Sequence, residues 1–250
     1  MDRLEQFWQN LVLTFPAARV VDGAVMACNP ELPMPQCNHA ANIKVDEDEA
    51  EDLLKRVTEY FLSEGSPSVR FRITPSTRPA TFSSFLERHG FEKEEEESVM
   101  VVKGRRLDDK LNPDVKVKEI SKREMDIWSR LLTTLFDMPN DWREQLDKLL
   151  LTWLKKGARF YLAYVKGKPV GTCTLFSLER SGGIFNVGTL KEYRRRGVGT
   201  TLTLTAVSDS INEGNGLHTL QTTKGGNAER LYREIGFVTD HTISWLAKKL

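Results

Sequence analysis

Residues Val187 to Thr200 read VGTLKEYRRRGVGT, and this stretch constrains the fold more than any other. A strand-like run, Ile184 to Leu190, leads into it. A helical pattern leaves it, from about Val198 to Asn212, with Leu202, Leu204, Val207 and Ile211 on the apolar side. Gly197 and Gly199 let the backbone turn tightly and put no Cβ in the way of a ligand. The helix that follows points unpaired N–H groups into the same space, which suits a phosphate or pyrophosphate. Arg194, Arg195 and Arg196 add positive charge, although not all three can face one ligand. Two common phosphate motifs are excluded. Gly199 is followed by Thr200-Thr201 and not by the Lys-Ser/Thr pair of a P-loop, and Leu202 stands where a dinucleotide fingerprint needs a third small residue. Taken alone, the loop fits a solvated surface turn as well as a ligand site.

The elements around it are legible. Val115 to Ile120 alternates as a strand, and Lys122 to Phe136 has a helical pattern. Asp141 is the expected N-cap of a second helix, Trp142 to Lys156, which ends at Gly157. Arg159 to Val165, Val170 to Ser177 and Ile184 to Leu190 read as antiparallel strands. Lys166-Gly167-Lys168-Pro169 is the expected first turn and Ser181-Gly182-Gly183 the second. His218 to Thr223 reads as a strand, Asn227 to Ile235 as a helix, and Phe237 to Ala247 as a strand. The order predicts an α+β (mixed α/β) fold with a central, largely antiparallel sheet flanked by helices.

Upstream, Lys103 to Pro113 is charged, contains Gly104 and Pro113, and lacks apolar periodicity. It divides the chain into residues 1–104, a linker at 105–112, and residues 113–250. With 40% hydrophobic and 28% charged residues, a packed core is expected. Lys plus Arg is 36 against 35 Asp plus Glu, so a net charge of +1 gives no case for nucleic acid or an anionic membrane as partner. Met1 to Phe15 reads as an amphipathic helix carrying Leu4, Phe7, Trp8 and Leu11, and not as a signal peptide. No apolar run approaches the length of a membrane span. Three scattered cysteines, Cys28, Cys37 and Cys173, point to a reducing, cytoplasmic setting.

Downstream of the glycine loop, Asn227-Ala-Glu-Arg-Leu-Tyr-Arg-Glu-Ile-Gly-Phe237 follows a strand. With it, the sequence from about 114 to 250 resembles the GNAT superfamily of acyl-CoA N-acyltransferases. Arg194 to Gly199 looks like the family's Q/R-x-x-G-x-G/A pyrophosphate loop. Asn227, Leu231-Tyr232 and Gly236-Phe237 look like its second cofactor motif. The resemblance implies that the backbone of Val187, Gly188, Thr189 and Leu190 meets the pantetheine arm. It implies that the amides of Arg195, Arg196, Gly197, Val198, Gly199 and Thr200, behind Arg194, hold the pyrophosphate, that Asn227 touches the cofactor arm, and that Tyr232 lies near the thioester sulfur. Lys191 departs from the family pattern, which often has Pro there.

The expected reaction is acetyl transfer from acetyl-CoA directly to a primary amine, without a covalent enzyme intermediate and without a metal. A phenol remains protonated at neutral pH and suits protonation of a leaving thiolate. Glu179 and Glu192 are close in sequence to the site, but each reads as a solvated carboxylate, and water can serve as the base. The alternative is a non-catalytic acetyl-CoA-binding sensor or interaction module.

Phe85-Leu-Glu-Arg-His-Gly-Phe91 parallels Leu231-Tyr-Arg-Glu-Ile-Gly-Phe237. Each follows an expected strand (Val69 to Ile73, His218 to Thr223) and precedes another (Val99 to Val102, Ile243 to Leu246). Two tandem GNAT-like domains are therefore expected, the first degenerate. Leu86 stands where the second has Tyr232. Asp48 to Leu53, with four acids and no glycine, stands where it has Arg194 to Gly199. Cys28, Cys37 and His39 match no zinc spacing. Glu92 to Glu97 reads as a solvated hairpin, and His218 and His241 as structural.

Overall fold

The computed structural model describes residues 3–15, 17–103 and 111–250. Residues 105–110 of the expected linker, and Met1 and Asp2 of the first expected helix, lie outside the described residues. In chain order the first elements are α1 (Arg3–Val12), β1 (Arg19–Val21), β2 (Ala24–Ala27), β3 (His39–Ala41), α2 (Ala50–Ser63), β4 (Ser68–Ile73), α3 (Phe82–Arg88) and β5 (Glu92–Val102). There follow β6 (Lys116–Glu119), α4 (Met125–Leu135), α5 (Arg143–Lys155), β7 (Arg159–Val165), β8 (Lys168–Leu178) and β9 (Ser181–Thr189). The last are α6 (Val198–Asn212), β10 (Leu217–Thr223), α7 (Asn227–Glu234) and β11 (Val238–Lys249). The fold is mixed α/β with a largely antiparallel sheet flanked by helices, as expected.

Two compact units emerge, and they interleave in sequence. Unit 1 comprises Met1–Val99 and Thr239–Leu250, and unit 2 comprises Met100–Val238. In unit 1, β1, β2 and β3 form an antiparallel meander, β3 pairs with β4 in parallel, and β4 pairs antiparallel with β11. Val57, Phe61, Phe71, Phe82, Leu86 and Leu246 fill its core. The four apolar residues expected on the first helix are all buried there. In unit 2, β6 to β9 form an antiparallel meander, and β9 then pairs in parallel with β10. Its core gathers Cys173, Leu175, Ile184, Val198, Leu202, Tyr232 and Phe237.

Local chemistry explains where the strands turn. Lys166 and Gly167, at φ of 50° and 77°, make the two-residue turn from β7 to β8. The second hairpin differs from expectation. Its turn is Glu179-Arg180, both at positive φ (49° and 58°), and Ser181 to Gly183 already belong to β9. Gly182 serves helix packing, because a Cβ there would lie 2.0 Å from Ser210 Oγ on α6. The acidic run at 92–97 is no hairpin either but the first half of β5. Glu92, Glu94 and Glu95 are exposed, Arg70 of β4 pairs with Glu94 at 2.7 Å, and Trp245 Nε1 donates to buried Glu97 at 2.6 Å. Asp141 does not cap α5. It lies inside a short helical turn, Asn140–Trp142, that leads into α5.

Candidate functional site

The site is built where two parallel strands part. β9 and β10 are paired only through Ser181, Gly182 and Gly183 against Leu217, His218 and Thr219. Beyond that point β9 is bent by a bulge, with Asn186 and Val187 standing opposite the single residue Cys173 of β8. Asn186 takes the left-handed conformation this needs (φ 55°), which asparagine tolerates better than most residues. The bulge is fastened on both sides. Thr172 Oγ1 donates to the Asn186 carbonyl at 2.7 Å, and Asn186 Nδ2 donates to Thr174 Oγ1 at 3.1 Å.

The backbone of β9 then divides its groups between two directions. The Leu190 amide donates to the Val170 carbonyl of β8 at 2.9 Å. By strand alternation the amides of Val187 and Thr189 face the opposite side, where β10 has diverged. Of the four strand residues singled out from sequence, Val187 and Thr189 therefore present amides to the gap, whereas the Leu190 amide is already used. Gly188 admits α4: a Cβ there would lie 2.8 Å from Leu135 Cδ1 and 3.2 Å from Phe136 Cε2.

The glycine loop follows at the end of the gap. The first hydrogen bond of α6 runs from the Thr201 amide to the Gly197 carbonyl at 2.9 Å, so the amides of Val198, Gly199 and Thr200 have no intrahelical partner. Arg195 and Gly197 are at positive φ (62° and 70°), and Gly197 is thus glycine for its conformation. Gly199 is different. It has no such φ, and a Cβ there would meet only Leu231 Cδ1 at 3.5 Å and Thr189 Oγ1 at 3.9 Å, both ordinary contacts. Nothing inside the fold requires glycine at 199, although glycine weakens a helix by about 1 kcal/mol relative to alanine. The arginines are not equivalent. Arg194 Nε donates to the Thr189 carbonyl at 3.2 Å, and Arg196 lies over the Tyr193 ring at 5.4 Å.

Tyr232 is 6% exposed on α7, its ring 5.9 Å from that of Phe237. Burial first, and the Cys173 thiol second, push its phenol pKa up. Cys173, which sits opposite the bulge, belongs with Tyr232 to the unit 2 core. Asn227 is exposed at the start of α7. Glu179 is remote: from Ser181 to Thr189 a strand rises about 26 Å, so the turn lies at the other end of β9. Glu192 is exposed. His218, fully buried, shares a 2.9 Å hydrogen bond with Ser210 and packs as a core residue. Among the described residues no group of three or more His, Cys, Asp or Glu is placed to hold a metal ion. None of their helices is long and apolar enough to cross a membrane.

Unit 1 repeats this plan with two differences. Its β3–α2–β4–α3–β5 follows the order β9–α6–β10–α7–β11, and β3 and β4 are again parallel. The bulge recurs as well. Val25 faces Ala41 and the Lys44 amide donates to the Gly23 carbonyl at 2.8 Å, leaving Asn42 and Ile43 opposite Ala24. Asn42 has φ 52°, matching Asn186. Here, however, the gap is filled by the chain itself. The Arg78 amide donates to the Ile43 carbonyl at 3.0 Å, and the Val45 amide donates to the Arg78 carbonyl at 3.3 Å. In this register Val45 corresponds to Thr189, whose amide faces the gap in unit 2. The helix start differs too, with Glu47, Asp48, Glu49, Glu51 and Asp52 in place of arginine and glycine.

A strand pair that parts beside a bare helix N-terminus is the arrangement that the sequence resemblance to acyl-CoA N-acyltransferases implies. Residues 125–237 match the family model described as Acetyltransferase (GNAT) family. A GCN5-related N-acetyltransferase from Kribbella flavida is similar in fold, with a TM-score of 0.79 over 98% of this chain and 94% of its own, at 18% identity. A functionally unknown conserved protein from Staphylococcus epidermidis has a TM-score of 0.69 over 92% of both chains, at 14% identity. A tandem GNAT protein from the clavulanic acid biosynthesis pathway has a TM-score of 0.64, covering 84% of this chain and 75% of its own, at 11% identity. No curated relative matches the sequence.

Proposed function

We propose that the protein transfers an acetyl group from acetyl-CoA directly to a primary amine. The observation that carries this reading is the gap between β9 and β10, with the Val187 and Thr189 amides on its wall and the free amides of α6 at its end. The strand amides suit a pantetheine arm, and those of Arg195 to Thr200 suit a pyrophosphate. Asn227, exposed at the start of α7, suits contact with the cofactor arm. A neutral amine attacks the thioester carbonyl to give a tetrahedral oxyanion, the nitrogen's proton passes to water, and the C–S bond breaks as the oxyanion collapses to the amide. A strand amide stabilises the oxyanion, and the Tyr232 phenol supplies the thiolate with a proton. Cys28, Cys37 and Cys173 are all unpaired and buried, which fits a cytoplasmic protein. A panel of small amines, amino acids and peptides, read by thiol release from acetyl-CoA, tests the activity. Acetyl-CoA binding without turnover across the whole panel would favour a non-catalytic binding module instead.

Gly199→Val tests the pyrophosphate placement. A Cβ at 199 meets only ordinary contacts and the added methyls fill the space left for the ligand, so acetyl-CoA affinity is expected to fall by about tenfold or more while the protein stays folded. Unchanged affinity by calorimetry would remove the pyrophosphate from this loop.

We further infer that unit 1 is a degenerate copy that binds no cofactor. Its strand edge is already bonded to Arg78, and its helix start is acidic. Titration of the full chain with acetyl-CoA should give one equivalent. A second equivalent that survives Gly199→Val would contradict the inference.

A further inference from the structure

We propose that Asn112 is a positioning residue that aims the glycine loop at its ligand, an inference that rests on the reading of that loop as the pyrophosphate site. From sequence, Asn112 is the last residue of a linker. In the structure it grips the loop and the helix behind it. Asn112 Nδ2 donates to the Arg196 carbonyl at 2.8 Å, and the Asn112 amide donates to Thr201 Oγ1 at 3.1 Å. Its own side chain is held in place, because Oδ1 accepts from the Asp114 amide at 2.9 Å. A Cβ on Gly197 would lie 3.2 Å from Asn112 Cβ, so the two residues pack as closely as a glycine allows.

The geometry of the peptide bond turns this grip into a directing device. In a planar trans peptide the carbonyl and the next N–H point in opposite directions. Holding the Arg196 carbonyl towards Asn112 therefore turns the Gly197 amide the other way, away from Asn112. Gly197 is the N-cap of α6, is at φ 70°, and has no side chain with which to fix itself. Without Asn112 this peptide is free to rotate, and its amide must be ordered anew by each ligand that arrives. Thr201 ties the same residue to the first turn of α6, so the loop and the helix dipole are held in one register.

The test is calorimetric titration of the full chain with CoA, well below the thermal midpoint of every variant. Asn112→Ala is expected to raise Kd about tenfold, the effect of losing one preorganising hydrogen bond to a polar ligand site. Thr201→Val, which removes only the second tie, is expected to raise it about threefold. The double variant should bind no more weakly than Asn112→Ala, because the Thr201 tie acts on the loop only through the Asn112 side chain. Where the alanine variant does not fold, the threefold loss in Thr201→Val decides. Wild-type affinity in Asn112→Ala, with binding lost in Gly199→Val, would overturn the positioning role alone, as would single effects that multiply in the double variant. If wild type does not bind CoA, or Gly199→Val binds as wild type does, the pyrophosphate reading itself falls and the role of Asn112 with it.

Discussion

Tyr232→Phe is expected to lower kcat by about 10²–10⁴-fold while leaving acetyl-CoA affinity nearly unchanged. The ring remains to pack against Phe237, and one oxygen is lost. Burial, reinforced by the Cys173 thiol, raises the phenol's pKa, so the group is neutral at every pH at which the protein works and can donate. The bond proposed from it to a departing thiolate would exist only as the C–S bond breaks, so its loss is expected to fall on kcat and not on binding. A tyrosine that only fills the core predicts the reverse: a less stable variant with normal turnover in its folded fraction. Single-turnover kinetics with a saturating amine, beside thermal unfolding, separate the two. Equal rates would assign the proton to another donor, such as water.

Acidification is expected to weaken unit 1 through His39. This imidazole is 3% exposed, lies edge-on to Trp245 at 5.1 Å, and has a buried Nε2 without a hydrogen-bond partner. Burial above all, then the nearby Arg72 charge, lowers its pKa from 6.5 to about 3, against a smaller opposing effect of the Pro35 carbonyl. The unfolded chain takes up a proton near pH 6.5 and the folded chain does not until about pH 3. Stability is therefore complete above pH 6.5 and falls as the pH drops through this window. Between pH 6.5 and 5 the loss from this one group is about 2 kcal/mol. Urea unfolding near pH 7 and pH 5 reads it, and His39→Gln should remove most of the difference. A variant with the same pH dependence as wild type would mean that His39 is charged or hydrated in the folded state.

What could be read from the sequence was local. The helix after Gly197, the β7–β8 turn at Lys166-Gly167 and the buried face of α1 follow from periodicity and turn chemistry within a few residues. The repeat of helix, Gly-Phe and strand pointed to a second copy, and the matching bulges at Asn42 and Asn186 strengthen that reading. What was hidden depended on distant partners. Ser181-Gly182-Gly183 has turn composition, but Gly182 is small because Ser210, far along the chain, packs against it. Glu97, the one buried acid of the run at 92–97, looks solvated until Trp245 is brought beside it. Asn112 carries no pattern that marks it, since its partners lie more than eighty residues away. The segment TPSTRP at 74–79 did hold a signal. It is longer than Lys224-Gly225-Gly226 at the equivalent place, and it supplies the Arg78 that closes the unit 1 gap.

The interleaving of the two units bears on how the chain is made. Synthesis delivers β4 early, but the strand that pairs with it, β11, leaves the ribosome only after all of unit 2. During that interval β4 offers an unsatisfied edge, a surface that invites pairing with other chains. A nascent chain stalled anywhere between residues 100 and 238 carries that exposed edge, and a gene cut between the halves makes it permanent. Unit 1 is thus first in the message and last to be finished, and the speed at which unit 2 is translated sets how long it must wait.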